Sequence, residues 1–257
     1  MIRPLNDSGP PSTSPEPDPA GLSQRILAEA RRVERPEQCG TLTELTGLLC
    51  RVDPAAIEGD GARLAFWINL YNALLLHRLC LRPIRGSVLW QLRLFSTVAY
   101  EVGGNPYSLN LIEHGVLRRN ARPPYRLRRP LRPGDPRALA APARLNPRLH
   151  FALNCGARSC PPIHVYEPDS IDEQLELATR AYLRAETSVD NERGRVTLPR
   201  LMRLYRADFG DRAAQLDLAA RHVAVVRERR EASAERLRVR YGRFDWTAAP
   251  SAPRATG

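Results

Sequence analysis

The sequence contains no lysine: all 39 of its basic residues are arginine, set against 28 acidic ones for a formal charge of +11. Clustered cations bind phosphate by releasing counterions, but a bias of arginine over lysine also follows from GC-rich coding, so the charge alone names no partner. Aromatic residues make up only 6%, too few for the stacking platform of a single-strand binder. Nucleic acid is therefore not an expected partner. No apolar stretch follows Arg3 as a signal peptide requires. The longest apolar run, Leu64 to Leu81, is interrupted by Asn69, Asn72, His77 and Arg78 where a bilayer span would be continuous. The five cysteines are odd in number and contain no CxxC pair, which argues against a disulfide framework. The expectation is a cytoplasmic protein with no membrane association.

What is present is an ordinary globular balance, 43% apolar and 26% charged over 257 residues, enough to enclose a sizeable core. Residues 1–20 are rich in Pro, Ser and Asp, and 247–257 are small residues and Pro; both are expected to be disordered tails. Between them, 21–246 reads as one α+β domain, mostly helical, with a small, largely antiparallel sheet. Helical periodicity covers Leu22 to Val33, with Ser23 as cap, and Thr41 to Val52, with Thr41 or Thr43 as cap. Ala62 to Leu81 is apolar on nearly all sides and belongs at the centre of the core. Val98 to Val102 and Tyr107 to Leu109 flank a Gly103-Gly104-Asn105-Pro106 turn, the pattern of a hairpin. Asn110 with Glu113, and Ser170 with Glu173, have capping-box spacing at the starts of two further helices. Leu149 to Asn154 alternates like a short strand that would put His150, Ala152 and Asn154 on one face. A second hairpin spans residues 188–198, helices cover Leu198 to Phe209 and Asp211 to Arg229, and Arg236 to Trp246 alternates as a last strand.

The densest basic run, Arg118 to Arg132, holds seven arginines and no carboxylate. It is a possible contact surface for an acidic partner. The interleaved Pro123, Pro124, Pro130 and Pro133 favour an extended, solvated loop instead.

The most unusual segment for chemistry is Cys155-Gly-Ala-Arg-Ser-Cys160-Pro-Pro, two thiols on a glycine-containing loop directly after the expected strand. Loops at element ends are where sites tend to lie, and a cysteine acts as a nucleophile only as thiolate. His150 or His114 would serve as base, with Asn154, Asn72 or Glu113 orienting the ring. The alternative is that these thiols and imidazoles are packing groups. A redox pair of Cys155 and Cys160 lacks CxxC spacing, and a metal site built on Cys155, Cys160, His150 and His114 lacks HxxxH or paired CxxC anchors. No metal or cofactor is expected. Asn69 and Asn72, three apart in the most apolar helix, must find partners; bonds to loop backbone are favoured over a direct part in catalysis. Ser159 lacks a GxSxG frame, and Asp245 beside Trp246 has no motif of its own.

Three strings, Ala65-Phe-Trp-Ile-Asn-Leu-Tyr-Asn-Ala73, Ser108-Leu-Asn-Leu-Ile-Glu-His-Gly-Val-Leu-Arg118 and His150-Phe-Ala-Leu-Asn-Cys-Gly-Ala-Arg-Ser-Cys-Pro-Pro162, together resemble the family called domain of unknown function 547. Leu204-Tyr-Arg-Ala-Asp-Phe-Gly210 and Tyr241-Gly-Arg-Phe-Asp-Trp246 follow as weaker echoes. The resemblance implies a single α+β domain with no settled activity, with recurring polar positions that look like Asn72, Glu113, His114, Arg118, His150, Cys160 and Asp245. Cys155 is the less constant thiol, which tilts the choice of reactive sulfur to Cys160. Similar proteins continue after Asp-Trp with a small polar residue, Leu and Asn, whereas this chain has Thr247-Ala-Ala. Two readings stand: a cysteine- and histidine-dependent hydrolase or acyl-transfer enzyme with Cys160 or Cys155 as nucleophile, and a non-catalytic binding module.

Overall fold

The computed structural model describes residues 2–6, 17–232 and 237–249. In chain order the elements are β1 (Arg3–Pro4), α1 (Pro19–Arg32), α2 (Gly40–Gly47), α3 (Asp60–Leu81), α4 (Leu94–Thr97), β2 (Val98–Val102) and β3 (Asn105–Ser108). There follow α5 (Ile171–Glu186), β4 (Ser188–Asp190), β5 (Arg195–Leu198), α6 (Arg200–Leu204), α7 (Arg206–Phe209), α8 (Arg212–His222), α9 (Ala224–Ala232) and β6 (Arg238–Tyr241). The class is α+β and mostly helical, as expected.

Residues Leu64 to His77 of α3 are buried without a gap, so a helix apolar all round becomes the axis of the core. By length and composition α3 could span a bilayer; here its two asparagines are instead committed to the chain's own backbone. Asn69 donates to the Tyr166 carbonyl at 2.8 Å and accepts from the Tyr166 N–H at 2.9 Å. Asn72 donates to the Ala152 carbonyl and accepts from the Asn154 N–H, each at 3.0 Å. The long helix thus pins two loops to itself, one of them leading into the thiols.

Helix α1 buries Leu22, Ile26, Leu27 and Ala30 along one stripe and packs chiefly on α3. Its cap is Asp18, whose carboxylate accepts from Ala20 and Gly21, with Pro19 at the first position. Ser23 lies within the helix and is not the cap. Neither expected capping box forms: Asn110 and Ser170 make no side-chain cap bond, because Asn110 and Glu113 are engaged in the site described below. In α2 the helix begins at Gly40, ahead of Thr41.

The strands form two separate three-stranded sheets, each with one parallel and one antiparallel pairing. In the first, β1 runs parallel to β2 and β2 antiparallel to β3; in the second, β4 is antiparallel and β6 parallel to β5. The first hairpin turns on Gly103 and Gly104 alone, both at positive φ (54° and 73°), the backbone a tight two-residue hairpin needs. A side chain on Gly103 would meet the Val52 carbonyl at 2.6 Å.

The expected N-terminal tail is corrected over residues 2–6. Arg3 and Pro4 pair with β2, and Asn6 is buried, donating to the carbonyls of Thr46 and Glu101 and accepting from the Glu101 N–H. Residues 7–16 lie outside the described residues. At the other end, Thr247 bridges Ser87 and Ala248 bridges Ala157, so the expected tail is in contact through residue 249; 250–257 lie outside the described residues.

The expected strand Leu149 to Asn154 is also corrected. Pro147–Phe151 is a turn of 3₁₀ helix: Asn146 caps the Arg148 N–H, Pro147 presets the first φ, and Asn72 takes the Ala152 and Asn154 backbone groups that a neighbouring strand would use. The helix expected over 211–229 breaks at extended Val223 into α8 and α9. Of the last expected strand only Arg238–Tyr241 pairs, and Arg236 lies outside the described residues. A second apolar core, around Leu183, Leu198, Met202 and Val226, fills the space between α5, the second sheet and α6 to α9; Phe244 packs against both cores.

Candidate functional site

Between the two cores, residues from five parts of the chain converge. Leu111–Leu117 is a π-helical segment, closed by i to i−5 bonds from Arg118 to Glu113 and from Asn120 to Gly115. Such segments recur at functional sites. This one turns Glu113, His114 and Arg118 inward, all three buried.

Arg118 is only 2% exposed, which corrects its placement in a solvated arginine loop. It forms a forked pair with Asp208 of α7, Nε to Oδ2 at 2.5 Å and Nη2 to Oδ1 at 2.8 Å, the geometry that makes guanidinium pairing strong. Its Nη1 donates to His114 Nδ1 at 2.9 Å. Because arginine can only donate, His114 is the tautomer whose Nε2–H reaches Tyr125 Oη, 3.2 Å away. Tyr125 in turn donates to Asn110 Oδ1. Burial first of all, and Arg118 beside it, hold His114 neutral, its pKa lowered to about 4 despite Glu113. With both ring nitrogens engaged and no surface on the cavity, His114 is placed as a structural relay.

His150 is placed differently. Its Nε2 donates to Asp208 Oδ2 at 2.7 Å, its ring stacks on Tyr205 at 3.7 Å between centroids, and it lines a cavity of about 180 Å³. Nδ1 has no hydrogen-bond partner among the described residues, so its lone pair is free. Burial lowers the ring's pKa more than the bond to Asp208 raises it, and the imidazole rests neutral. Asp208 stays ionised: burial opposes this, but His150 and Arg118 bring its pKa down to about 2.

The loop after Asn154 brings both thiols to the same cavity. Each is half-buried, closely surrounded yet keeping an accessible face. Gly156, at φ 86°, bends the loop back around one sulfur: Cys160 Sγ accepts from the Cys155 N–H at 3.1 Å, and the amides of Ala157 and Gly156 lie near enough to favour its charged form. Convergent amides of this kind make an anion nest. The two sulfurs are 2.6 Å apart. Burial acts to raise the Cys160 thiol, but donation from Cys155 and the three amides outweighs it and brings the pKa below the ordinary value. Cys155 moves the other way, raised well above it chiefly by its bond to Cys160 and then by burial. Of the two thiols, Cys160 is thus the more readily ionised.

The loop is braced on every side. Asn154 Oδ1 accepts from Gly156 and its Nδ2 donates to the Pro161 carbonyl, Tyr182 donates to the Ser159 carbonyl, and residues 245–249 run alongside. Arg158 donates to the Thr247 carbonyl, and Ala249 to that of Gly156.

Glu113 also lines the cavity, accepting from Tyr205 at 2.7 Å and lying 3.4 Å from the Tyr71 hydroxyl. Burial pushes both phenols well above their usual range, so they remain donors. For Glu113 burial acts upward, and the pull of His114, His150, Tyr205 and Arg118 brings it below the usual value. Since both rings are neutral near pH 7, Tyr205 and Arg118 are the partners that persist there.

Of the residues singled out in the sequence, Cys155, Cys160, His150 and Glu113 thus meet at one cavity. Asn72 lies behind it, holding the backbone between His150 and the thiols, and His114 is one step removed. Asp245 is not part of the site: its side chain is exposed and caps the Thr247 N–H, although its backbone N–H binds Ser159 Oγ. Asp208 and Tyr205 were not singled out. Their one signal was the string Leu204-Tyr-Arg-Ala-Asp-Phe-Gly210, in which a tyrosine and an acid stand three apart. Among the described residues no group of three or more His, Cys, Asp or Glu side chains could hold a metal ion.

A family model described as protein of unknown function, DUF547, matches residues 57–183. The matched span holds Tyr71, Asn72, Glu113, His114, Arg118, His150 and both thiols, and stops short of Tyr205 and Asp208. No curated protein and no solved structure matches the chain.

Proposed function

The chain belongs to the family of unknown function DUF547, a membership that assigns no reaction, and we propose from its own cavity that it is a cysteine- and histidine-dependent hydrolase or acyl-transfer enzyme. The observation that carries the reading is the turn around Cys160: its Sγ accepts the Cys155 N–H at 3.1 Å, with the Gly156 and Ala157 amides beside it favouring the charged form, on the cavity that His150 shares. A nucleophile, a base and an orienting group are then Cys160, His150 and Asp208. Cys160 attacks the carbonyl of an acyl donor, forming a thioester and releasing the leaving group, which takes a proton from solvent. Water or a second acceptor then attacks the thioester carbonyl and gives its proton to His150 Nδ1, while Asp208 stabilises the imidazolium through Nε2–H. The thiolate departs, and the imidazolium returns its proton to solvent. Cys155 beside it favours the ionised form of Cys160.

The test is alkylation of the native protein by iodoacetamide across pH, with each cysteine read by peptide mass. Cys160 is expected to react fastest and to lose its rate only at a pH below the ordinary thiol range. Reaction no faster than an unperturbed thiol, with the usual alkaline midpoint, would sink the reading. A second reading, thiol redox, is favoured by the 2.6 Å separation of the sulfurs. The pair would give two electrons and two protons to a partner disulfide, leaving a Cys155–Cys160 bond and two partner thiols. Thiol counts before and after an oxidised-glutathione titration test it.

A further inference from the structure

The cavity at Cys160 has a composition that selects a substrate class, an inference that rests on the acyl-transfer reading above and deepens it. Away from Cys160, His150 and Glu113, its wall is hydrocarbon and aromatic: Leu92, Phe95, Leu153, Leu204, Phe244 and Trp246. Of its polar groups, Glu113 is occupied by two phenols, and His150 Nδ1 and Cys160 are the atoms the reaction uses, so little remains to solvate a polar substrate tail. An apolar chain is what such a wall desolvates favourably. The lip continues the same chemistry outward. Leu89 is 43% exposed, and Trp90, beside it in the chain, is 85% exposed.

Positive charge predominates on the segments that form this lip, with Asp245, exposed between Phe244 and Trp246, as the acidic exception. Leu89, Leu92 and Phe95 come from residues 85–95, which carry exposed Arg85 and Arg93 and no carboxylate. Tyr125, also on the cavity, comes from 122–129, which carry exposed Arg122, Arg126, Arg128 and Arg129 and again no carboxylate. Arg126 donates to Ser96 Oγ at 2.9 Å, joining the two segments. An apolar wall reaching the Cys160 sulfur, with arginines on the segments around it, fits an amphiphile with its hydrocarbon inside and negative charge outside.

We propose that the acyl donor is a thioester of a medium-chain fatty acid on a phosphate-bearing thiol carrier. The chain lies along Leu92, Phe95, Leu153 and Leu204, the carbonyl meets Cys160, and the phosphates lie on the arginine border. In the step itself, Cys160 sulfur forms a new thioester bond to the acyl carbon, the carrier's C–S bond breaks, and the carrier leaves as thiolate and takes a proton from solvent. No oxidant or reductant is consumed.

The full chain is incubated with acetyl, octanoyl and dodecanoyl thioesters of coenzyme A, and the hydroxylamine-sensitive adduct on Cys160 is read by intact mass and peptide mapping. Binding of the free carboxylates of the same chains is measured in parallel by titration calorimetry. Affinity is expected to rise by roughly fourfold per buried methylene until the cavity is full, and adduct formation to rise with it and to fall with salt. The half-exposed lip variants Leu92→Gln and Leu89→Gln, checked for folding by circular dichroism, should flatten the chain-length series. Equal acylation by acetyl and dodecanoyl donors overturns the substrate class and leaves the nucleophile intact. Chain-dependent carboxylate binding with no adduct on Cys160 overturns the acyl-transfer reading, and the substrate falls with it. Acylation that is indifferent to salt removes the anionic carrier from the proposal.

Discussion

Arg118 and Asp208 are ninety positions apart in the chain and both nearly sealed from water, each satisfying the other through two parallel bonds. Removing one partner of such a pair leaves a buried charge uncompensated. Asp208→Ala is therefore expected to destabilise the protein by about 3–5 kcal/mol in urea unfolding, more than a surface carboxylate such as Asp172, for which less than about 1 kcal/mol is expected. A change of under 1 kcal/mol at Asp208 would mean that the fork is open in solution. Gly156 is the other residue on which the site turns. A side chain at φ 86° is strained by roughly 1–2 kcal/mol, and relief of that strain opens the turn that brings the backbone amides around the Cys160 sulfur. Gly156→Ala should move the alkylation midpoint of Cys160 upward, toward that of an ordinary thiol; an unchanged midpoint would show that the amides do not set it. Neither role follows from local sequence. A run of seven arginines with four prolines reads as solvated, and most of it is, but nothing within the run marks Arg118 as the one residue that turns inward to an acid on a helix yet to be made.

Elements matter here for where they end and what they hold. The extent of α3 was legible because fourteen consecutive buried side chains leave few polar residues to misplace, and the demand that Asn69 and Asn72 find partners follows from burial alone. Which loops they hold depends on the tertiary fold. The structure makes the two asparagines a matched pair for experiment. Each gives up one donated and one accepted backbone bond on truncation, so Asn69→Ala and Asn72→Ala should each cost about 2–4 kcal/mol, the penalty of leaving buried backbone groups unpaired. Their effects on the thiol should diverge. Asn72 clamps Ala152 and Asn154, between His150 and Cys155, and its loss should slow Cys160 alkylation; Asn69 clamps Tyr166, and its loss should not. Equal effects on alkylation would attribute both to general loosening. The same clamp explains why alternation over Leu149 to Asn154 misled: a strand needs a neighbour to take its backbone groups, and a helix side chain took them first. The π-helical segment was likewise hidden, since capping-box spacing identifies the start of a helix but not the extra residue in its turn.

At the scale of the whole molecule, the chain ends and the buried imidazoles govern stability. Residues 245–249 lie along the thiol loop in the place where this sequence departs from its family resemblance. Their contacts there are mostly backbone bonds, to Val88, Gly86, Gly156 and Arg158, which any side chain could make; this is why loss of the usual Leu and Asn does not dissolve the strap. Acid should test the fold as a unit. Burial holds His77 and His114 neutral, each with its pKa lowered from 6.5 to about 4. In the unfolded chain both bind a proton near pH 6.5, so unfolding takes up protons between about pH 6.5 and 4 and stability falls as pH falls through that window. Each histidine contributes roughly 1.4 kcal/mol per pH unit there. Asp208 remains ionised in folded and unfolded chains alike above about pH 5 and adds nothing to that slope. His77 and His114 alone should make urea unfolding at pH 7.5 and pH 5.5 differ by about 2–3 kcal/mol, with the lower stability at pH 5.5, and His150, which burial also lowers, acts in the same direction. His77→Gln, which leaves a neutral partner for Tyr100, should remove about 1–1.5 kcal/mol of the difference. A flat profile over those two units would mean that both rings take up protons in the folded state, and the donor chain from Arg118 through His114 to Tyr125 would have to be redrawn with a charged imidazole at its centre.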